Sequence, residues 1–150
     1  MSLSSHTRIL EKTEAGSIIL IASYGDYPPG SVGNEAAQQM KTDVTNAVAE
    51  FSPVAVVFDL SELKYVWGDA IAGIFWALRR SSHDFLPSAV VARGETRKAL
   101  MGLLTQTRVL NIFNTDFFDG IDQALGYLDK LLSKKSSSTG NVITKNEEDR

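Results

Sequence analysis

Three polar side chains stand where an α/β chain would place chemistry. Asp59 ends an apolar run, Ser61 follows it by two residues, and Asp69 opens the next amphipathic stretch, with Trp67 and Gly68 just before it. Carboxylates in such places serve as general acids or bases when a second group converges on them. An Asp, a Ser and a His can form a nucleophilic triad, and His83 supplies the third type beside Asp59 and Ser61. No Gly-x-Ser-x-Gly elbow surrounds Ser61, so nothing local supports that triad. The chain has two histidines, His6 and His83, and no cysteine, which argues against a structural zinc site and rules out disulfides and thiolate chemistry. Glycines at 25, 30 and 33 lack the Gly-Lys-Ser/Thr ending of a phosphate-binding loop. Tyr24, Tyr27, Pro28 and Pro29 make that stretch a candidate recognition loop, with a surface insertion as the alternative.

The elements that position these residues follow from the apolar pattern. Thr7–Lys12 and Ser17–Ser23, separated by Glu14-Ala15-Gly16, predict an opening hairpin. The prolines and glycines of 24–33 predict an irregular loop. Asn34 is a candidate cap for a helix from Glu35 to Phe51, whose apolar stripe is Ala37, Met40, Val44, Ala47, Val48 and Phe51. Val54–Leu60 is apolar enough for a strand covered on both faces. A second helix is expected from about Asp69 to Arg80, facing inward through Ile71, Ile74, Phe75 and Leu78. Ser88–Ala92 is a strand and Glu95 to about Thr107 a helix with Ala99, Leu100, Leu103 and Leu104 as its core face. The last strand lies at Asn111–Phe113 or at Asp116–Phe118, and the last helix runs from Gly120 to Ser133. Strands separated by single helices imply right-handed crossovers and a largely parallel sheet. The expected fold class is therefore α/β: a mixed, mostly parallel sheet of about five strands with an N-terminal antiparallel hairpin and four helices. One domain spans residues 7–133, and residues 134–150 form a polar tail expected to be disordered.

The 150 residues suffice for one core, and 43% apolar with 22% charged composition suits an ordinary globular domain. The net charge of −3 and the lack of a basic stripe argue against nucleic-acid binding. No apolar run approaches the roughly 18 residues of a membrane span. The first residues lack a basic segment leading into an apolar one, so no secretory signal is read and the expected location is the cytoplasm.

The strand–link–helix stretch carries a resemblance. Asp59-Leu60-Ser61, then Tyr65-Val66, then Trp67-Gly68-Asp69-Ala70-Ile71-Ala72 is similar to the STAS domain of anti-sigma-factor antagonists. There a strand ends Asp-Leu-Ser and an aromatic-aliphatic pair leads to Asp-Ser-Ser-Gly-Leu-Gly. Ala89–Ala92, Thr96–Leu100, Leu110–Phe113 and Asp122-Gln123-Ala124-Leu125 resemble the family's later elements, so the likeness covers roughly residues 7–133. The family's regulatory phosphoserine falls on Gly68, its preceding aspartate on Trp67 and its following serine on Asp69. Gly68 has no hydroxyl, so phosphorylation cannot occur there. The 28–33 stretch reads as an insertion relative to the family.

The resemblance implies a non-catalytic regulatory module that binds a protein: an anti-sigma factor or serine-kinase-like partner, or another STAS chain, with a homodimer among the possibilities. The implied contact surface is Trp67, Gly68, Asp69, Ile71 and Ala72 with Tyr27, and no cofactor is expected. Two readings of Asp69 stand: a helix cap, or a fixed negative charge beside the empty phosphate position, holding the surface in one binding state. Trp67 either packs onto the core or is an exposed interface anchor. The rival function on the same fold is a small-molecule sensor binding a nucleotide or an apolar ligand near the link. A small α/β enzyme using Asp59 or Asp69 is a third class, weakened by the lack of a convergent partner.

Overall fold

Ile18 to Ser23 are all buried, on both faces of the strand they form, and this fixes the sheet they belong to. The computed structural model describes residues 3–81, 84–106 and 113–145. β1 (Ser4–Thr13) turns back into β2 (Gly16–Asp26) as an antiparallel hairpin. β2 then pairs in parallel with β3 (Ala55–Asp59). The chain continues through β4 (Leu63–Lys64), α2 (Gly73–Trp76) and a small hairpin of β5 (Arg79–Ser81) and β6 (Asp84–Phe85). β7 (Ser88–Val91) and β8 (Thr115–Phe118) complete the sheet, in the order β1-β2-β3-β7-β8. Every pairing after the hairpin along that path is parallel.

Alternation along the strands divides the core between two faces. Ile19, Ile21, Val56, Phe58 and Val90 pack under α1 (Asn34–Phe51), α2 and α3 (Gly94–Gln106). Ile18, Leu20, Val57, Ala89 and Val91 pack under α4 (Ile121–Lys145) alone, through its Ala124 and Leu128.

Several boundaries differ from the sequence reading, each for a physical reason. β2 runs on to Asp26 because β4 offers it a short parallel partner, Gly25 opposite Leu63 and Asp26 opposite Lys64. The irregular stretch shrinks to residues 27–29, followed by a 3-10 turn at Gly30–Gly33. Asn34 does not cap α1: it is the helix's first residue, and Gly33 holds the cap position with no side-chain bond. The helix expected over 69–80 is a 3-10 turn, Asp69–Ala72, then the four residues of α2. Its end is drawn tight where Leu78 N–H bonds Phe75 O, and the Leu78 carbonyl is then taken by Leu86 N–H at 2.9 Å. The four inward residues are buried as expected, and Phe75 stacks on Phe113 with ring centroids 5.2 Å apart. The last strand occupies the second of its two expected places, and Leu110–Ile112 lie outside the described residues. α4 continues beyond Ser133 to Lys145, into the stretch expected to be a disordered tail, with no proline between 121 and 145 to stop it. No helix among the described residues is long and apolar enough to cross a membrane.

Because one helix covers a whole face, trimming its contact is costly. Leu128 is fully buried, so Leu128→Ala should lower unfolding stability by about 2–5 kcal/mol, read from urea midpoints at unchanged slope.

Candidate functional site

The site begins where β3 ends. The Asp59 carboxylate accepts the Ser61 N–H at 3.1 Å and the Ser61 hydroxyl at 2.6 Å through the same oxygen, Oδ1. This is a local turn in which each side chain is occupied by the other. Leu63 N–H closes the turn on Leu60 O at 3.1 Å. The third member of the imagined triad, His83, lies outside the described residues.

Residues 62–68 then run beside 25–30 as an extension of the β2–β4 pairing. Gly25 N–H bonds Glu62 O at 3.2 Å, Tyr27 N–H bonds Lys64 O at 2.9 Å, and Gly30 N–H bonds Trp67 O at 3.2 Å. α3 holds the link from the other side. The buried Thr96 hydroxyl donates to Leu63 O at 2.7 Å and accepts the Tyr65 N–H at 3.3 Å. Tyr65 points inward, meets Tyr27 edge to face at 5.2 Å and donates its hydroxyl to Gly68 O at 2.7 Å.

Gly68 has φ 130 and ψ 123, a conformation that strains any L side chain. Gly30, at φ +69, is bound by space as well. A Cβ there would sit 2.8 Å from the Trp67 indole. The indole therefore lies over Gly30 and stays 62% exposed, and Val66 beside it is 66% exposed. Of the two readings of Trp67, the structure has the exposed one.

Asp69 is exposed and opens the 3-10 turn, but Gly68 occupies the cap position and no side-chain capping bond is made. The cap reading of Asp69 is thus not met. Its charge acts on the two tyrosines below. Burial, first, and then the charges of Tyr27 and Asp69 push the Tyr65 hydroxyl up to about 12. The Tyr27 hydroxyl is raised by burial first and then by the charge of Asp69.

The six residues expected at a contact surface differ in exposure. Trp67, Gly68 and Asp69 form the outer corner. Tyr27 and Ile71 are buried, at 2% and 0% exposure, so they support the corner and cannot themselves be touched. Ala72 is half-buried. The sequence reading missed the opposite wall. A groove of about 760 Å³ runs between the corner and one face of α3, where Lys98, Ala99, Gly102 and Leu103 line it, with Gly30 and Ser31 at its loop side. The available signal was Gly102: a glycine inside a helix costs stability, and here a Cβ would meet nothing within 4 Å. The fold does not require that glycine, and its absence of a side chain leaves the groove open.

Two predictions follow from the corner's construction. Gly68→Ser should destabilise by about 1–3 kcal/mol through backbone strain, whereas Asp69→Ala should change stability by less than about 0.5 kcal/mol; paired urea titrations check both. Tyr65 holds its proton more tightly when folded, so its stabilising effect is complete below the ordinary value of 10.0 and is lost as pH rises through about 12. Tyr65→Phe should cost about 1 kcal/mol at neutral pH and flatten the alkaline decline, measured by unfolding across that window.

No family model matches the chain, and no curated protein matches it. Solved structures do. An anti-sigma factor antagonist from Mycobacterium paratuberculosis aligns at TM-score 0.58 and 23% identity, over 84% of this chain and 93% of that one. An uncharacterized protein of the DUF3478 family with a SpoIIAA-like fold, from Shewanella loihica PV-4, aligns at TM-score 0.47 and 21% identity, over 85% and 98%. The anti-sigma factor antagonist SpoIIAA in its unphosphorylated form aligns at TM-score 0.44 and 11% identity, over 84% and 97%. The first of these shows the fold: the chain has the STAS-type α/β architecture of an anti-sigma factor antagonist.

Proposed function

We propose that this chain is a non-catalytic regulatory module that binds another protein through the corner at residues 66–69 and the adjoining groove on α3. The observation that carries this reading is the exposed Val66–Trp67 pair, held by a buried frame beside a groove whose helix wall has no side chain at Gly102. Exposed tryptophan is a favoured anchor of protein interfaces, and a surface ordered in advance loses little freedom on binding. The likeness in fold to an anti-sigma factor antagonist supports a regulatory partner of that kind.

Adhesion fits the polar groups better than catalysis does. Asp59 and Ser61 are engaged with each other, and no group of three or more acidic or histidine side chains converges among the described residues. The groove is open to solvent and walled by one helix and one link, which suits a protein surface more than an enclosed small ligand. Binding at this corner is not switched by modification of residue 68. The negative charge beside it is permanent, and the backbone there does not accept a serine without strain.

A photo-crosslinking residue placed at position 67 should capture protein in the native cell. The same residue at the exposed Lys130 of α4, on the opposite face of the sheet, should not. Gly102→Trp, which places a bulky side chain at the exposed helix wall of the groove, should abolish the capture at 67. Equal capture at both positions, or none at 67, would overturn the reading.

A further inference from the structure

The groove face carries its own complement. Trp67, 62% exposed, stands at one wall with its ring over Gly30, and the cleft beside it is bounded by Ala99, Gly102 and Leu103 of α3, so an exposed aromatic lies next to a cleft whose helix wall has a side-chain gap at Gly102. The two walls also differ in charge. Asp69 lies on the corner side and Lys98 on the helix side. They form no ion pair with one another, nor with any other side chain among the described residues. A partner of uniform charge would satisfy one wall and oppose the other. A second copy rotated by a two-fold axis satisfies both, because in such an interface residue i meets j while j meets i.

We infer that this face pairs two copies of the chain. Trp67 of each copy enters the groove of the other, and Asp69 of each meets Lys98 of the other around the shared apolar centre. The inference rests on the groove's being a protein-binding face and names its occupant. The sheet edge is a poorer route to self-pairing. β1 forms one edge, opposite β8, and it carries the exposed charges Arg8 and Lys12 and an irregularity in register between Ile9 and Glu11, features that discourage strand addition.

Reciprocal charge reversal tests the geometry. The full chain and its Asp69→Lys, Lys98→Asp and doubly reversed variants would be compared by sedimentation velocity across a concentration series, with circular dichroism melts confirming that each is folded. The unaltered chain should dimerise reversibly, and each single reversal should weaken the dimer by about tenfold or more. The double reversal should return it to within about threefold of the original. Gly102→Trp, at an exposed position where an added Cβ has open space, should be folded and monomeric. A chain that stays monomeric up to about 200 µM, a double reversal as weak as the singles, or a dimeric Gly102→Trp variant would each overturn the inference. Crosslinking separates the failures. If the monomeric chain still captures a different protein through position 67, self-pairing is rejected and the binding face stands. If position 67 captures nothing, both fall.

Discussion

From within the core, Tyr65 donates its hydroxyl to the Gly68 carbonyl, and the outer corner takes its shape from that bond. The ring is buried and meets Tyr27 edge-on, and the Thr96 hydroxyl accepts the Tyr65 backbone N–H. With Gly68 fixed from below and Trp67 O held by Gly30 N–H from the side, the indole has one place to lie. Its exposure is therefore imposed by the frame beneath it. A large apolar side chain left in water costs about 1.5–3 kcal/mol relative to burial, and here the fold maintains that cost at a single defined position.

The polar groups divide their work accordingly. Asp59, Ser61 and Thr96 close turns and join elements. Asp69 does neither, and its carboxylate acts at a distance by disfavouring tyrosinate in the two rings below. A hydroxyl at residue 68 would have been the natural handle for switching such a corner. The positive φ of Gly68 is a backbone conformation in which a serine would be strained.

The strands and the long helices were legible because their patterns are strong. The continuous apolar runs of β2 and β3 and the three- and four-residue stripe of α1 leave few alternatives. The strand–link–helix stretch gave the fold class through its resemblance, but it left open whether Trp67 packs onto the core or lies exposed. What was not legible depended on partners distant in sequence. The pairing of Gly25 and Asp26 with Leu63 and Lys64 cannot be read from a stretch dense in proline and glycine, yet it extends β2 and buries Tyr27. The stripe Ile71, Ile74, Phe75 and Leu78 has helical spacing, but the Leu86 N–H at the Leu78 carbonyl gives the chain another way to satisfy its backbone there. The groove's second wall escaped notice because Ala99 and Leu103 were assigned wholly to the core, while both are only half-buried.

The uneven division of the sheet has a consequence for synthesis. Three helices cover one face and are interleaved with the strands they protect, so that layer can assemble as the chain emerges from the ribosome. The other face, with Ile18, Leu20, Val57, Ala89 and Val91 on it, waits for α4, the final element in order. Until translation has passed Leu128, a nascent chain presents that bare apolar sheet to its surroundings, and transiently exposed surface of this sort is what chaperones bind. The order of the elements thus places the greatest exposure of this face in the interval between the synthesis of β8 and that of α4.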